Sequence, residues 1–209
     1  MDGNLIQFDV NKGSIYKNYG RIHQGSICSS IVTSNNKYLF TSSDDRTLKK
    51  WNIKRKKLVR DFGCIHESNI LAISATNCGR YIFTSSIVGD VKQWCINQGK
   101  ILKDYGQVIV GWVSTMVSTN NSKYLFIGSD KGFLKQFDVN FRQEYHDYGK
   151  ITDDTPIYSM TITSDNRFLF TSDEGGKLIQ WDIKEKCVLT NYGKVHDGVI
   201  FSIILTNDN

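Results

Sequence analysis

Residues 37–52 read KYLFTSSDDRTLKKWN, and this stretch decides the architecture because the chain repeats it. Its opening returns as RYIFTS from Arg80, KYLFIG from Lys123 and RFLFTS from Arg167. Its close returns as LIQFDV, VKQWCI, LKQFDV and LIQWDI, which set an aromatic at Phe8, Trp51, Trp94, Phe137 and Trp181 in steps of 43, 43, 43 and 44 residues. An aromatic-glycine pair keeps the same step at Tyr19-Gly20, Phe62-Gly63, Tyr105-Gly106, Tyr148-Gly149 and Tyr192-Gly193. Markers in phase along the whole chain define an array of supersecondary units, each burying its apolar face against the next.

Each period holds four short runs rich in apolar, β-branched and aromatic residues, with no long stretch at helical spacing. In the first full unit these are Ile27 to Thr33, Tyr38 to Ser42, Leu48 to Ile53 and Leu58 to Phe62. Ser34-Asn35-Asn36 lies between the first two, matched by Asn77-Cys78-Gly79, Asn120-Asn121-Ser122 and Ser164-Asp165-Asn166. These residue types bond their own backbone or tolerate positive φ, so they read as turns. Four strands per unit make an antiparallel meander, and meanders that must cover one another stack radially into a β-propeller.

The run from Thr41 to Asn52, the histidines ahead of the first strand at His23, His66 and His196, and Trp181-Asp182 resemble the WD40 repeat family. The resemblance covers essentially the whole chain. It implies an all-β propeller with strands a, b, c and d running from axis to rim, and a scaffold that binds other proteins. On this reading residues 1–209 form one array. Full blades are expected at about 26–62, 69–105, 112–148 and 156–192, and one split blade from 1–19 and 199–209. Strand b of the split blade is missing, so closure of the ring is left open. Asp2 and His196 fall where Asp45 and His23 stand, a pair that only a closed ring would join. A gap would expose strand edges, which invite a second chain or a longer parent protein to complete the propeller.

The resemblance also implies a structural tetrad of His23, Thr41, Asp45 and Trp51, whose buried indole, imidazole and carboxylate must satisfy one another. The third unit has Ile109, Ile127, Lys131 and Phe137 at those positions, an apolar solution. The second keeps His66, Thr84 and Trp94 but has Val88 for the aspartate, and the fourth has Thr152, Thr171, Gly175 and Trp181; both need water or another partner. Thr41, His23 and Asp45 could also be taken for a nucleophile set, but no strained nucleophile turn or oxyanion feature accompanies them.

Composition fits a globular chain: 209 residues, 40% apolar, 22% charged, seventeen glycines and one proline. No apolar run approaches the roughly 18 residues of a membrane helix, and no secretory leader is visible. A soluble cytoplasmic protein is expected, with a nuclear location open and no membrane contact. The five cysteines show no C-x-x-C spacing and read as reduced thiols. No phosphate loop, dinucleotide fingerprint or zinc motif occurs, so no metal and no cofactor are expected. His146 reads as a solvated rim residue. The net charge of +5 is local: seven bases and no acid lie between Lys49 and Arg60. Within it, Lys54, Arg55, Lys56 and Lys57 fall in the c-to-d hairpin, either as a solvated tip or as a contact to phosphates or the import machinery.

The function expected is therefore a non-catalytic protein-interaction scaffold, a subunit or adaptor of a larger intracellular assembly that binds other proteins or peptides. Two alternatives are a nucleic-acid or ribonucleoprotein contact through residues 54–57 and a propeller enzyme. The family's interaction face, formed by the d-to-a and b-to-c loops, maps here to Trp112, Tyr158, Phe201, Leu71 and Ile87 with Asp44, Asp130 and Glu174. Large apolar groups clustered at a water-facing rim mark binding surfaces. The competing reading is that they seal adjacent blades.

Overall fold

The computed structural model describes residues 3–206, and among these residues every regular element is a strand. β1 (Asn4–Asp9) and β2 (Ser14–Arg21) pair into a two-stranded sheet. Four four-stranded antiparallel sheets follow. The first is β3 (Ile27–Val32), β4 (Tyr38–Ser43), β5 (Thr47–Asn52) and β6 (Lys57–Cys64). The second is β7 (Ile70–Ala75), β8 (Tyr81–Ser86), β9 (Asp90–Cys95) and β10 (Lys100–Gln107). The third is β11 (Val113–Ser118), β12 (Tyr124–Ser129), β13 (Phe133–Asp138) and β14 (Gln143–Lys150). The fourth is β15 (Ile157–Ile162), β16 (Phe168–Asp173), β17 (Lys177–Asp182) and β18 (Cys187–Lys194). The order within each sheet follows the chain, and β3, β7, β11 and β15 are neighbours along the axis. Each of these four sheets has the four-stranded antiparallel form expected of a propeller blade.

Local chemistry builds each blade the same way. The first turn closes on a positive φ at Asn36, Gly79, Ser122 and Asn166. The hydroxyls of Thr33, Thr76, Thr119 and Thr163 take the N–H of Tyr38, Tyr81, Tyr124 and Phe168 at 3.0–3.1 Å, which satisfies the backbone where the strands part. On the outer strand the glycine of each aromatic-glycine pair has φ between +63° and +72°, and its N–H donates to the Asp or Asn two residues earlier. The ladder registers shift beside these glycines, as at a β-bulge.

The joints between sheets hold the core. The aromatic before each glycine meets the c-strand aromatic of the next blade edge-on: Tyr19 with Trp51, Phe62 with Trp94, Tyr105 with Phe137 and Tyr148 with Trp181, at 5.4–5.9 Å and 75–80°. The two sequence markers keep one step because they are two halves of one contact. Phe40, Phe83 and Phe126 are fully buried in the three joints between complete blades. Burial of each contributes about 1.5–3 kcal/mol.

The ring does not close. Residues 200–206 run beside β15, with Ile203 N–H donating to Ser159 Oγ at 3.0 Å and Ser172 Oγ donating to the Ile200 carbonyl at 3.0 Å. They take the place of a following strand a but form no strand themselves. Among the described residues the expected two pieces of a split blade therefore stay apart, with β1 and β2 forming a sheet of their own. The expected Asp2–His196 pair lies outside the described residues.

Candidate partner-binding face

The tetrad residues meet inside the first blade. Trp51 Nε1–H donates to Thr41 Oγ1 at 3.1 Å, and Thr41 Oγ1 stands 2.8 Å from His23 Nε2. His23 Nδ1 is 3.2 Å from Asp45 Oδ2 and 2.9 Å from Thr47 Oγ1. The Asp45 carboxylate can only accept, so the ring proton belongs on Nδ1 facing it, and Nε2 accepts the Thr41 hydroxyl proton. Burial lowers the His23 pKa and outweighs the pull of Asp45, in keeping with a neutral ring. Burial alone would raise the Asp45 carboxyl, yet the hydroxyl and N–H of Thr47 and the N–H of Gln24 hold it at about 2. Thr41 is fully buried, so the hydroxyl that could have been read as a nucleophile is out of a substrate's reach.

The second blade supplies the other partner that its histidine was expected to need. His66 Nδ1 lies 2.7 Å from Asp90 Oδ2, while Thr84 Oγ1 joins His66 Nε2 and Trp94 Nε1 as in the first blade. Asp90 stands where Thr47 does, two places after Val88, and reaches the same imidazole nitrogen from the start of strand c. The third blade carries Ile109, Ile127 and Phe137 in one apolar cluster with Lys131 exposed. In the fourth, Trp181 donates to Thr171 at 3.0 Å, and Thr152 donates to the carbonyl of Thr155 at 2.5 Å.

The loop residues share one end of the array. In each blade the N–H of the b-to-c turn donates to the carbonyl at the head of strand a: Asp44 to Ser26, Ile87 to Asn69, Asp130 to Trp112 and Glu174 to Pro156, at 3.0–3.3 Å. Trp112 is 40% exposed and Phe201 73%. Tyr158 is half-buried and meets Phe201 edge-on at 5.3 Å. Ile87 and Glu174 are exposed; Leu71 and Asp44 are half-buried. Asp130 departs from the expectation. It is 3% exposed, and its Oδ1 accepts the N–H of Trp112 at 2.8 Å, so it braces that loop from beneath.

The basic cluster is divided by the fold. Lys50 is buried and donates to the Ile96 carbonyl at 3.0 Å, Lys49 pairs with Asp61 at 2.9 Å, and Arg60 donates to the Gln98 carbonyl at 3.0 Å. Lys56 Nζ sits 3.5 Å from the Tyr16 ring centroid. Lys54, Arg55 and Lys57 remain exposed along a groove of about 740 Å³ that also takes in Lys37, Tyr38 and Asn52 and no acidic residue. Tyr38 in that groove was not legible as part of the basic segment, since it reaches it across the sheet from the start of β4. His146 is half-buried and packs edge-on against Tyr148 at 4.6 Å. Among the described residues no three His, Cys, Asp or Glu side chains are placed to hold a metal ion.

The family model described as WD domain, G-beta repeat matches residues 17–52 and 145–182. The chain carries WD40 repeats. Each matched segment runs from an outer strand of one blade through three strands of the next, so it contains both aromatics of one joint, Tyr19 with Trp51 and Tyr148 with Trp181. WD40 repeats generally build protein-interaction scaffolds and are typically non-catalytic. No match was found among curated proteins.

Proposed function

We propose that this chain is a non-catalytic adaptor of an intracellular assembly, cytoplasmic or nuclear, and that its loop end binds a protein or peptide. The observation that supports this reading is the exposure of Trp112 and Phe201, with Tyr158 edge-on to Phe201, at an end of the array where water would favour polar groups. Aromatic anchors of this kind carry interface energetics. Asp44 and Glu174 on the same end favour a partner that flanks an apolar anchor with Lys or Arg. The test is affinity purification of the full chain and of Trp112→Ala, Tyr158→Ala and Phe201→Ala. Each substitution should cut capture of a stoichiometric partner by roughly thirtyfold while the thermal midpoint stays within a few degrees of wild type. A matching loss of folding would make these side chains core residues.

A second reading rests on the groove beside the basic hairpin, where Lys54, Arg55 and Lys57 stand with the Tyr38 ring and no acid. It suits the phosphate backbone of a single strand. Binding of single-stranded RNA should then fall steeply with salt and vanish when Lys54, Arg55, Lys56 and Lys57 become Ser. Salt-independent or absent binding would reduce the segment to a solvated hairpin tip.

A further inference from the structure

We propose that the two outer faces of the array bind each other between copies of this chain, head to tail, by rebuilding the joint that already links its own blades. This rests on the repeat geometry and is independent of the loop-face reading.

Four joints inside the molecule pair an outer-strand aromatic with a c-strand aromatic. One half of that contact is left over at each end. Phe8 occupies the c-strand position of β1, and it is 62% exposed, whereas Trp51, Trp94, Phe137 and Trp181 are all buried. Tyr192 occupies the outer-strand position of β18 and is 48% exposed, its ring meeting no c-strand aromatic among the described residues. The neighbours repeat the pattern. Val10, two residues after Phe8, is 93% exposed, while its counterparts Ile96, Val139 and Ile183 are buried and Ile53 is half-buried. On the opposite face Phe170 and Leu178 are only half-buried, where Phe40 and Leu48 are sealed.

A polar crossing is made at two of the three joints between complete blades, Gln136 Nε2 at the third having no partner among the described residues. Gln93 accepts from Tyr105 and donates its amide across the joint to the carbonyl of Val139 at 3.2 Å. Lys50 makes the same crossing to Ile96. Gln180 already accepts from Tyr192 at 3.0 Å, and the equivalent carbonyl across a rebuilt joint belongs to Val10 of a second copy. Residues 200–206 lie where strand a of the shared blade would stand, and β1 and β2 hold the places of its strands c and d, so the two ends contribute different strands to it. Ile204, exposed at present, would face the second copy as Ile31 and Val117 face their own following blades. Such a contact uses different surfaces on its two sides, so it builds a ring or an open filament according to whether the rotation closes.

Sedimentation of the 209-residue chain from micromolar to hundred-micromolar concentration tests this. Wild type should gain mass with concentration, and Phe8→Asp and Tyr192→Asp should each weaken association by about thirtyfold or more. Both side chains are exposed, so both variants should keep the wild-type circular dichroism and melting. The decisive arm mixes the two: each keeps the face the other has lost, so together they should form a one-to-one dimer and nothing larger. A wild type that stays monomeric at every concentration would overturn the proposal, and lower melting of the variants would then assign the two faces to closure within one chain. Association that survives both substitutions, or a mixture that stays monomeric, would overturn it equally.

Discussion

At Thr41 a single hydroxyl accepts the Trp51 indole proton and gives its own to His23, so one substitution strands two buried groups. Thr171 serves only the Trp181 indole through its Oγ1. Each unpaired buried group costs about 1–3 kcal/mol, so Thr41→Val should lower stability in urea melts by clearly more than Thr171→Val. Equal losses would mean that the histidine link adds nothing. The acid limb carries its own signature. Asp45 is held at about 2, below its unfolded value, so its contribution is complete above roughly pH 4 and is lost as pH falls through about 2. His23 is lowered, so the unfolded chain takes up that proton first and stability declines once pH drops below about 6.5. The gap in thermal midpoint between wild type and Asp45→Asn should therefore be wide at neutral pH and close toward pH 2; a constant gap would contradict the assignment. The tetrad's members were legible in the sequence because they recur at fixed offsets. Asp90 was not, because it serves its histidine from a position two residues along, where the first blade has Thr47, and offset alone does not show which carboxylate reaches a ring.

The element that sets the spacing of the array is the outer-strand bulge. Its glycine must be left-handed for the preceding aromatic to lean into the next blade. At Gly63 a Cβ would meet nothing within contact distance, yet φ is +67°. Gly63→Ala should therefore cost about 1 kcal/mol from backbone conformation alone, and chemical denaturation would show it; a neutral substitution would mean that the bulge relaxes freely. The strands, turns and blade order could be read from the sequence, since apolar runs, Asn- and Gly-rich turns and the aromatic markers all keep one period. The fate of individual polar residues in the loops could not. Asp130 resembles its counterparts Asp44 and Glu174 in sequence, but only in three dimensions does its carboxylate turn inward to the Trp112 backbone. The basic run likewise looks continuous, while the fold sends Lys50 into a joint and leaves Lys54, Arg55 and Lys57 outside.

For the molecule as a whole, apolar surface remains uncovered in defined places: the loop end, and the two outer faces of an open array. Closure could not be decided from the sequence, because both ends carry recognisable blade pieces and only the structure shows that they do not pair. Hydroxyl-radical footprinting of the dilute chain, read residue by residue by mass spectrometry, addresses all these places in one measurement. Phe8, Tyr192, Trp112 and Phe201 should be modified rapidly, with Trp94, Phe137 and Trp181 protected. Protection of Phe8 and Tyr192 in the monomer would mean a closed ring, and protection of Trp112 and Phe201 would contradict the loop end as a binding surface.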